Sequence, residues 1–291
     1  MTTKETNTMT IKKHNYLVLI EAKNCNPNGD PDNENQPRID PDSEYGIITN
    51  QCLNRKIRNQ ILLRHPGEEG FDIYIQNDTF LNGKSQQAYT ELGYTKKDSS
   101  DKSVIQQAKE FMLKKYFDVR TFGAVMSTGD FPAGRVTGTV QTSFATSLHP
   151  ITVQEITLTR QAVTSEERFK ANVENEMGKK FIVPYGLYAF TASVSAVQAE
   201  KNGFTEADLK AYEEALINMF ENDESSARTN MSVKAVYRFT HEHELGNAPA
   251  WKLYDLIKAE PKKDYPRSFS DFDITVDEAH VPQGVTLEKI F

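Results

Sequence analysis

The order of patterned segments predicts an α+β protein with a ferredoxin-like, RRM-type core carrying large insertions. Three observations support this fold class. An apolar β-branched run at Asn15–Lys23 precedes an amphipathic helical pattern at Asn50–Arg64. An alternating run from Tyr188 to Ala196 precedes a second helical pattern at Thr205–Glu221. A further alternating run, Val233–Phe239, then completes the order strand, helix, strands, helix, strand.

The first strand, Asn15–Lys23 (NYLVLIEAK), ends in the turn formers Asn24–Asp30, and a long loop runs on to about Tyr45. Loops of that size within a compact domain usually have a function or lack order. In Asn50–Arg64, Leu53, Ile57 and Ile61 fall on one stripe, with Thr49 placed as N-cap. At about 100° per residue, Arg55 and Arg58 lie about 60° apart and off that stripe, with Lys56 on the other flank. One face is expected to pack and the other to be cationic and open. Residues 65–117 read as an insertion holding a second helical pattern: Val104, Ala108, Phe111, Met112. Val119–Val125, Val136–Phe144 and Ile151–Thr159 look extended. The polar stretch Glu166–Lys180 lies between strand-like runs, as a projecting hairpin or mobile loop would. In the second helix Thr205 and Asp208 match a capping box, and Leu209, Tyr212, Leu216, Met219 and Phe220 form its apolar stripe. A short helix near Trp251–Ile257 and a strand at Phe272–Val276 close the chain, and no internal repeat is visible.

The 291 residues allow one substantial core. Two cysteines, Cys25 and Cys52, read as reduced thiols, with neither a disulfide framework nor a zinc site indicated. No stretch approaches the roughly 18 consecutive apolar residues of a membrane helix. The polar start Met1–Thr10 lacks the apolar segment of a signal peptide, so a cytoplasmic location is expected. Net charge is −7, awkward for a nucleic-acid binder, but residues 200–291 account for all of it with 11 Lys+Arg against 18 Asp+Glu. Within the neutral remainder, Gly46–Gly67 carries Arg55, Lys56, Arg58 and Arg64 and no acid.

The strongest chemical unit is the loop plus this basic helix. Asn26–Pro31 and Pro37–Pro41 fix bends, and the helix start near Asn50 offers free N–H groups beside Arg55, Lys56 and Arg58. Phosphate is the natural ligand; a solvated charged face is the bland alternative. Glycines between Gly123 and Gly138, bracketing Arg135, match no nucleotide-cofactor motif and suit either close backbone approach or hairpin turns. Asp30, Asp32 and Glu34 have calcium-loop spacing at first, but Asn35 and Pro41 stand where the loop needs Gly and Glu. His241 and His243 share a strand face without a third ligand, which makes paired surface histidines the default. No metal, cofactor or catalytic residue is indicated, and no RNP aromatic consensus occurs.

Asn26–Asp30, Pro37–Asp40 and Thr49–Arg58 together resemble the N-terminal signature of the backbone subunit of CRISPR type I complexes, nearest to the type I-C (Dvulg) form. The family that it resembles is the repeated crRNA-binding RAMP-superfamily protein of Cascade. Further blocks agree in order: Asp118–Val125, Gly138–Gln141, Ile182–Tyr188 and Leu245–Ala250. The resemblance implies an RRM-like palm with finger insertions (about 65–117) and a thumb hairpin (about 159–180). It implies many copies stacked head to tail on a guide RNA, with other Cascade subunits as partners. Exposed guide bases then pair with target DNA, so that pairing and not protein reads sequence in antiviral defence. By position, Arg55, Lys56 and Arg58 would be palm phosphate contacts, with Asn50 and Asn54 beside them. Arg38 and Arg135 would line the same groove, and Arg160, Lys179 and Lys180 would come from the thumb segment. Asn50 and Asn54 stand where relatives often have Asp and Lys, and Thr139 where Pro is common.

The resemblance implies no enzymatic activity. The main alternative is a metal-dependent RNA-cleaving backbone subunit of type III kind, using Asp30 or Asp40; a generic single-stranded RNA chaperone is the other. If Lys56 and Arg58 touch phosphates, replacing both by alanine should weaken binding equally for unrelated RNAs.

Overall fold

The protein is described by a computed structural model covering residues 11–160, 162, 164–170 and 176–291. In chain order, β1 (His14–Cys25) leads through the short strands β2 (Gly29–Asp30), β3 (Gln36–Pro37) and β4 (Tyr45–Ile48) to helix α1 (Asn50–Arg64). An insertion follows with α2 (Leu81–Glu91), α3 (Lys102–Lys115), α4 (Phe117–Phe122) and the hairpin β5 (Gly123–Met126) and β6 (Gly134–Thr137). Strands β7 (Val140–Thr142), β8 (Ala145–Pro150) and β9 (Gln154–Arg160), the short helix α5 (Glu166–Lys170) and the long strand β10 (Glu176–Val194) return the chain to the sheet. Helices α6 (Ala196–Asn202) and α7 (Glu206–Ile217) precede β11 (Met231–His241), α8 (Ala250–Tyr254), β12 (Ile257–Pro261), β13 (Phe272–Val276) and β14 (Val285–Lys289).

The main sheet runs β14-β11-β1-β10-β8-β4, with β7 also pairing β10. Its centre, β11-β1-β10 followed by β7 and β8, has the strand order of a ferredoxin-like core and is antiparallel throughout. Helices α1 and α7 cover one face. Leu53, Ile57 and Ile61 of α1 and Leu209, Tyr212 and Leu216 of α7 share a core with Tyr16, Val18 and Ile20 of β1. Thr49 caps α1, accepting from the Cys52 N–H, and Asn28 Oδ1 in turn accepts from the Thr49 N–H (2.9 Å) and hydroxyl (3.0 Å). The long loop is therefore tied to the helix start that it precedes. The expected capping box of α7 is present, with Thr205 and Asp208 each bonding the other's backbone N–H.

The opposite sheet face, which an RRM leaves open to RNA, is closed here. Leu17, Leu19, Tyr185, Leu187, Tyr237 and Phe239 pack beneath Leu253 of α8, Ile257 of β12 and Phe272 of β13. Among the described residues Phe272–Val276 pairs only with β12, while the edge of the main sheet is taken by β14, which the sequence pattern did not reveal. Two further expectations are corrected. Val119–Phe122 is helical, because α4 starts immediately behind α3 and buries Phe117 and Val119. His241 is fully buried: its Nε2–H donates to Asn15 Oδ1 (2.9 Å) and its Nδ1 accepts from the Asn247 N–H (2.9 Å). Strand β9 pairs with the first part of β10, from Gln154↔Ile182 to Arg160↔Glu176, and this two-stranded arm continues beyond the sheet. Among the described residues no helix is long and apolar enough to cross a membrane.

His14 adds a pH term to this fold. Burial first, then the nearby charges of Arg238, His241 and Lys12, lower its pKa to about 4, against a weak opposing effect of Glu288. The unfolded chain protonates His14 near 6.5, so it binds more protons than the folded chain between those values. The contribution is complete above pH 6.5 and fades as pH falls towards 4, by up to about 3 kcal/mol. Urea unfolding across that window should lose stability less steeply in His14→Asn than in wild type; identical slopes would remove His14 as the cause.

Candidate nucleic-acid interface

The site is built around two buried ion pairs made by one short segment. Asp118 of α4 accepts from Arg58 Nε of α1 (2.7 Å) and from the backbone N–H groups of Tyr74 (2.6 Å) and Ile75 (3.0 Å). Two residues on, Arg120 donates to Asp208 of α7 (2.5 Å) and its guanidinium lies over the rings of Phe71 and Phe117. Asp118 and Arg120 are 1% and 6% exposed. The Arg120 carbonyl accepts from Thr139 through both N–H (3.2 Å) and hydroxyl (2.9 Å), and Asn202 Nδ2 bonds Thr139 Oγ1 (3.2 Å). A proline at 139 could make neither donation. Gly123 and Gly138 then pass backbone to backbone: a Cβ on Gly138 would come within 2.2 Å of the Phe122 carbonyl carbon, and Gly123 has φ +80°.

These contacts shape a cleft of about 440 Å³ at the start of α1. One wall is α1 with Asn50, Gln51, Asn54 and Arg55, another is Ile75–Asn77, and the floor is Phe122, Gly123 and Val140–Thr142. The Ile75–Asn77 wall is pinned from three sides. Asp118 accepts from the N–H of Ile75 and of Tyr74 just before it, Lys84 of α2 donates to the carbonyls of Ile73 (2.5 Å) and Tyr74 (3.0 Å) that lead into it, and Arg55 donates to the Ile75 carbonyl (2.7 Å) and to Asn77 Oδ1. Arg55 is half-buried, and burial together with the neighbouring Arg58 lowers its pKa. Both its acceptors are neutral, and among the described residues no carboxylate pairs with it. Asn50 Oδ1, Asn54 Oδ1 and Thr142 Oγ1 are buried without a hydrogen-bond partner among the described residues. Each such atom costs about 1–3 kcal/mol when left unpaired. Two of these atoms are amide oxygens, which only accept, so a hydroxyl or N–H donor would meet them and a phosphate oxygen would not.

The structure brings Asn50, Asn54, Arg55 and Arg58 to this cleft and leaves the other expected residues outside it. The open cationic face expected along α1 is corrected at two positions. Lys56 and Arg58 are 4% and 7% exposed, because Asp223 from the loop after α7 covers the Lys56 ammonium and Asp118 covers the Arg58 guanidinium. Arg38 pairs with Asp30 (3.3 Å) on the far flank of α1, and Arg135 is exposed on β6 opposite Val125. On the β9–β10 arm Lys179 pairs with Glu155 (2.7 Å) and Lys180 donates to the Ser226 carbonyl (2.8 Å). Arg160 ends β9, and its side chain lies outside the described residues. Gln51 of α1, Gln76 and Asn77 of the loop before α2, and Thr142 of β7 escaped the sequence reading; uncharged polar side chains carry no charge or apolar periodicity to betray them. Among the described residues no group of three or more His, Cys, Asp or Glu could hold a metal ion.

The family model described as CRISPR-associated protein Cas7 matches residues 12–277. The chain belongs to the Cas7 family. A Cas7 protein of Haloferax volcanii, described as "CRISPR-associated protein Cas7", is 24% identical over 288 residues, spanning 92% of this chain and 82% of its own. A solved chain described as "CRISPR RNA-guided surveillance complex, pre-nicking" superposes with a TM-score of 0.53 at 12% identity, covering 81% of this chain and 79% of that one. That likeness concerns the fold alone. In this chain the Asp118–Val125 block is mainly architectural: its two charged residues face inward and hold α1 and α7.

Removing one partner of a buried, hydrogen-bonded pair leaves an uncompensated charge and costs about 3–5 kcal/mol. Asp118→Ala, which also strips the Tyr74 and Ile75 N–H groups of their acceptor, should fall in that range by urea denaturation. Lys56→Ala with Arg58→Ala should likewise lower the melting temperature, so a loss of RNA binding in that variant must be read beside its stability. A double variant as stable as wild type would contradict the pairing.

Proposed function

We propose that this chain is a non-catalytic crRNA-binding backbone subunit of a cytoplasmic type I Cascade complex, of the type I-C kind. Copies stack head to tail along the guide and present it to target DNA, in company with other Cascade subunits, for antiviral defence. The observation that carries this reading is the amide-lined cleft with Arg55 in a Cas7-family chain. Arg55 offers a cation that no carboxylate among the described residues neutralises, and a polyanion is the ligand that such a charge attracts. The neighbouring amides can donate to phosphate or sugar oxygens without reading a base edge, which suits a protein that must accept any guide sequence. The closed back face of the sheet supports placing RNA on the helix side of the molecule. In this reading the arm made by β9 and β10 serves as the thumb and the insertion carrying α2 and α3 as the fingers.

The cleaving alternative would need a free loop aspartate. Asp30 is engaged by Arg38 and by the Asp32 N–H (3.3 Å), and Asp40 accepts from the Asp42 N–H (3.1 Å) and the Ser43 hydroxyl (2.6 Å). Both shape turns, which supports a non-catalytic role.

Arg55→Ala should weaken binding of two unrelated single-stranded RNAs to the same extent, roughly tenfold. The slope of log affinity against log salt should become shallower by about 0.7. A sequence-selective loss, or none, would argue against Arg55 as a backbone contact. With guides of two lengths, mass photometry should report larger assemblies on the longer one; a single size on both would remove the stacking. Target RNA incubated with the assembled protein and a divalent cation should stay intact, and cleavage abolished by Asp30→Ala would move the chain to the type III kind.

A further inference from the structure

A second cationic surface lies on the flank of α1 away from the cleft, and its central residue is Arg228. The loop between α7 and β11 is held against β1 by the Lys23 N–H donating to the Asn230 carbonyl (3.0 Å) and the Asn26 N–H donating to the Ala227 carbonyl (2.8 Å). Within it Ser225 and Arg228 exchange backbone hydrogen bonds (3.1 and 2.9 Å), so Arg228 stands on a closed turn instead of a loose tip. Lys180 of β10 donates to the Ser226 carbonyl of that turn (2.8 Å). On the other side of the Asn26–Asn28 segment, the Arg38 N–H donates to the Asn28 carbonyl (3.0 Å). Arg38, Lys180 and Arg228 thus border one stretch of surface beside the root of the β9–β10 arm.

Their charges are unequally compensated: Arg38 is paired with Asp30 (3.3 Å), whereas Lys180 and Arg228 lack a carboxylate within hydrogen-bond distance among the described residues. Asp223, the acid nearest Arg228, is already bound by the buried Lys56 ammonium, and Arg228 Nε sits 3.8 Å from it, beyond hydrogen-bond reach. Nε of Arg228 and of Arg38 are both buried without a hydrogen-bond partner among the described residues, and the Lys180 ammonium meets a neutral carbonyl. Cys52 on α1 lies close to these groups: burial pushes its thiol pKa up, Lys56 and Arg228 push it down, Asp223 pushes it up and Arg38 pushes it down.

We infer that Arg228, presented by the Ser225–Arg228 turn between Arg38 and Lys180, is a backbone-phosphate contact for single-stranded RNA. The strand then runs from the Arg55 cleft past the start of α1 to this turn. A guanidinium held on a fixed turn loses little freedom on binding and matches the planar, forked geometry of phosphate. This inference rests on the proposed function, since it names a further residue gripping the same guide.

Fluorescence anisotropy with two unrelated guide-length RNAs over a potassium chloride series tests it, with Arg228→Ala, Arg228→Lys, Arg55→Ala and the exposed Lys258→Ala of β12 as a control. Arg228→Ala should bind both RNAs roughly tenfold more weakly and reduce the salt slope by about 0.7. Arg228→Lys should recover most of the affinity and Lys258→Ala should match wild type. Because Arg228 is half-exposed and makes no side-chain hydrogen bond among the described residues, its melting temperature should stay at the wild-type value. Wild-type affinity and slope in Arg228→Ala, with Arg55→Ala still impaired, would overturn the inference and leave the proposed function standing. Failure of the wild-type protein to bind either RNA would overturn both. A loss in Arg228→Ala matched by a fall in melting temperature and not restored by Arg228→Lys would assign Arg228 a structural role and overturn the inference.

Discussion

Two inward charges from one turn and a half of chain, Asp118 and Arg120, hold the working parts of this protein in register. Asp118 reaches α1 through Arg58 and Arg120 reaches α7 through Asp208, so a single short helix locks the insertion onto both helices of the core. Buried ion pairs add little net stability compared with an apolar substitute, but they are geometrically exacting. Here each acid is also saturated by backbone or capping hydrogen bonds, which removes the alternative arrangements that a merely greasy contact would permit.

The cleft follows from that lock. Once Asp118 fixes the N–H groups of Tyr74 and Ile75, the Ile75–Asn77 wall stands at a set distance from α1, and Arg55 spans the gap. Once Arg120 and Thr139 are joined, Gly123 and Gly138 are forced together, and only residues without a Cβ fit there. The floor and two walls of a ligand-sized cleft are therefore consequences of architecture, with the exposed amides added at its rim. Sealing the other sheet face with β12 and β13 directs polar ligands towards this side.

The charge pattern of α1 shows how a correct local reading can mislead. Arg55, Lys56 and Arg58 all leave the apolar stripe, as helical periodicity requires, yet of the three only Arg55 makes no ion pair with a carboxylate among the described residues. Lys56 is answered by Asp223, 167 residues away in sequence, and Arg58 by Asp118, 60 residues away. The net negative charge of the C-terminal third is partly spent in this way, inside the molecule.

Features set by neighbouring residues were legible in the chain alone: the α+β class, the span of α1, its Thr49 cap, the Thr205–Asp208 box and the alternation of β10 and β11. Caps, stripes and alternation depend on neighbours within a turn or a pleat, and those neighbours are written consecutively. The blocks that resemble CRISPR backbone subunits were readable too, although not the reason for their charged residues. Tertiary structure alone decided which cations are answered, that Phe272–Val276 leaves the main sheet while β14 joins it, and that His241 is interior. Each of those outcomes turns on a partner brought from far along the chain. Local periodicity tells which way a side chain points, but not what arrives to meet it.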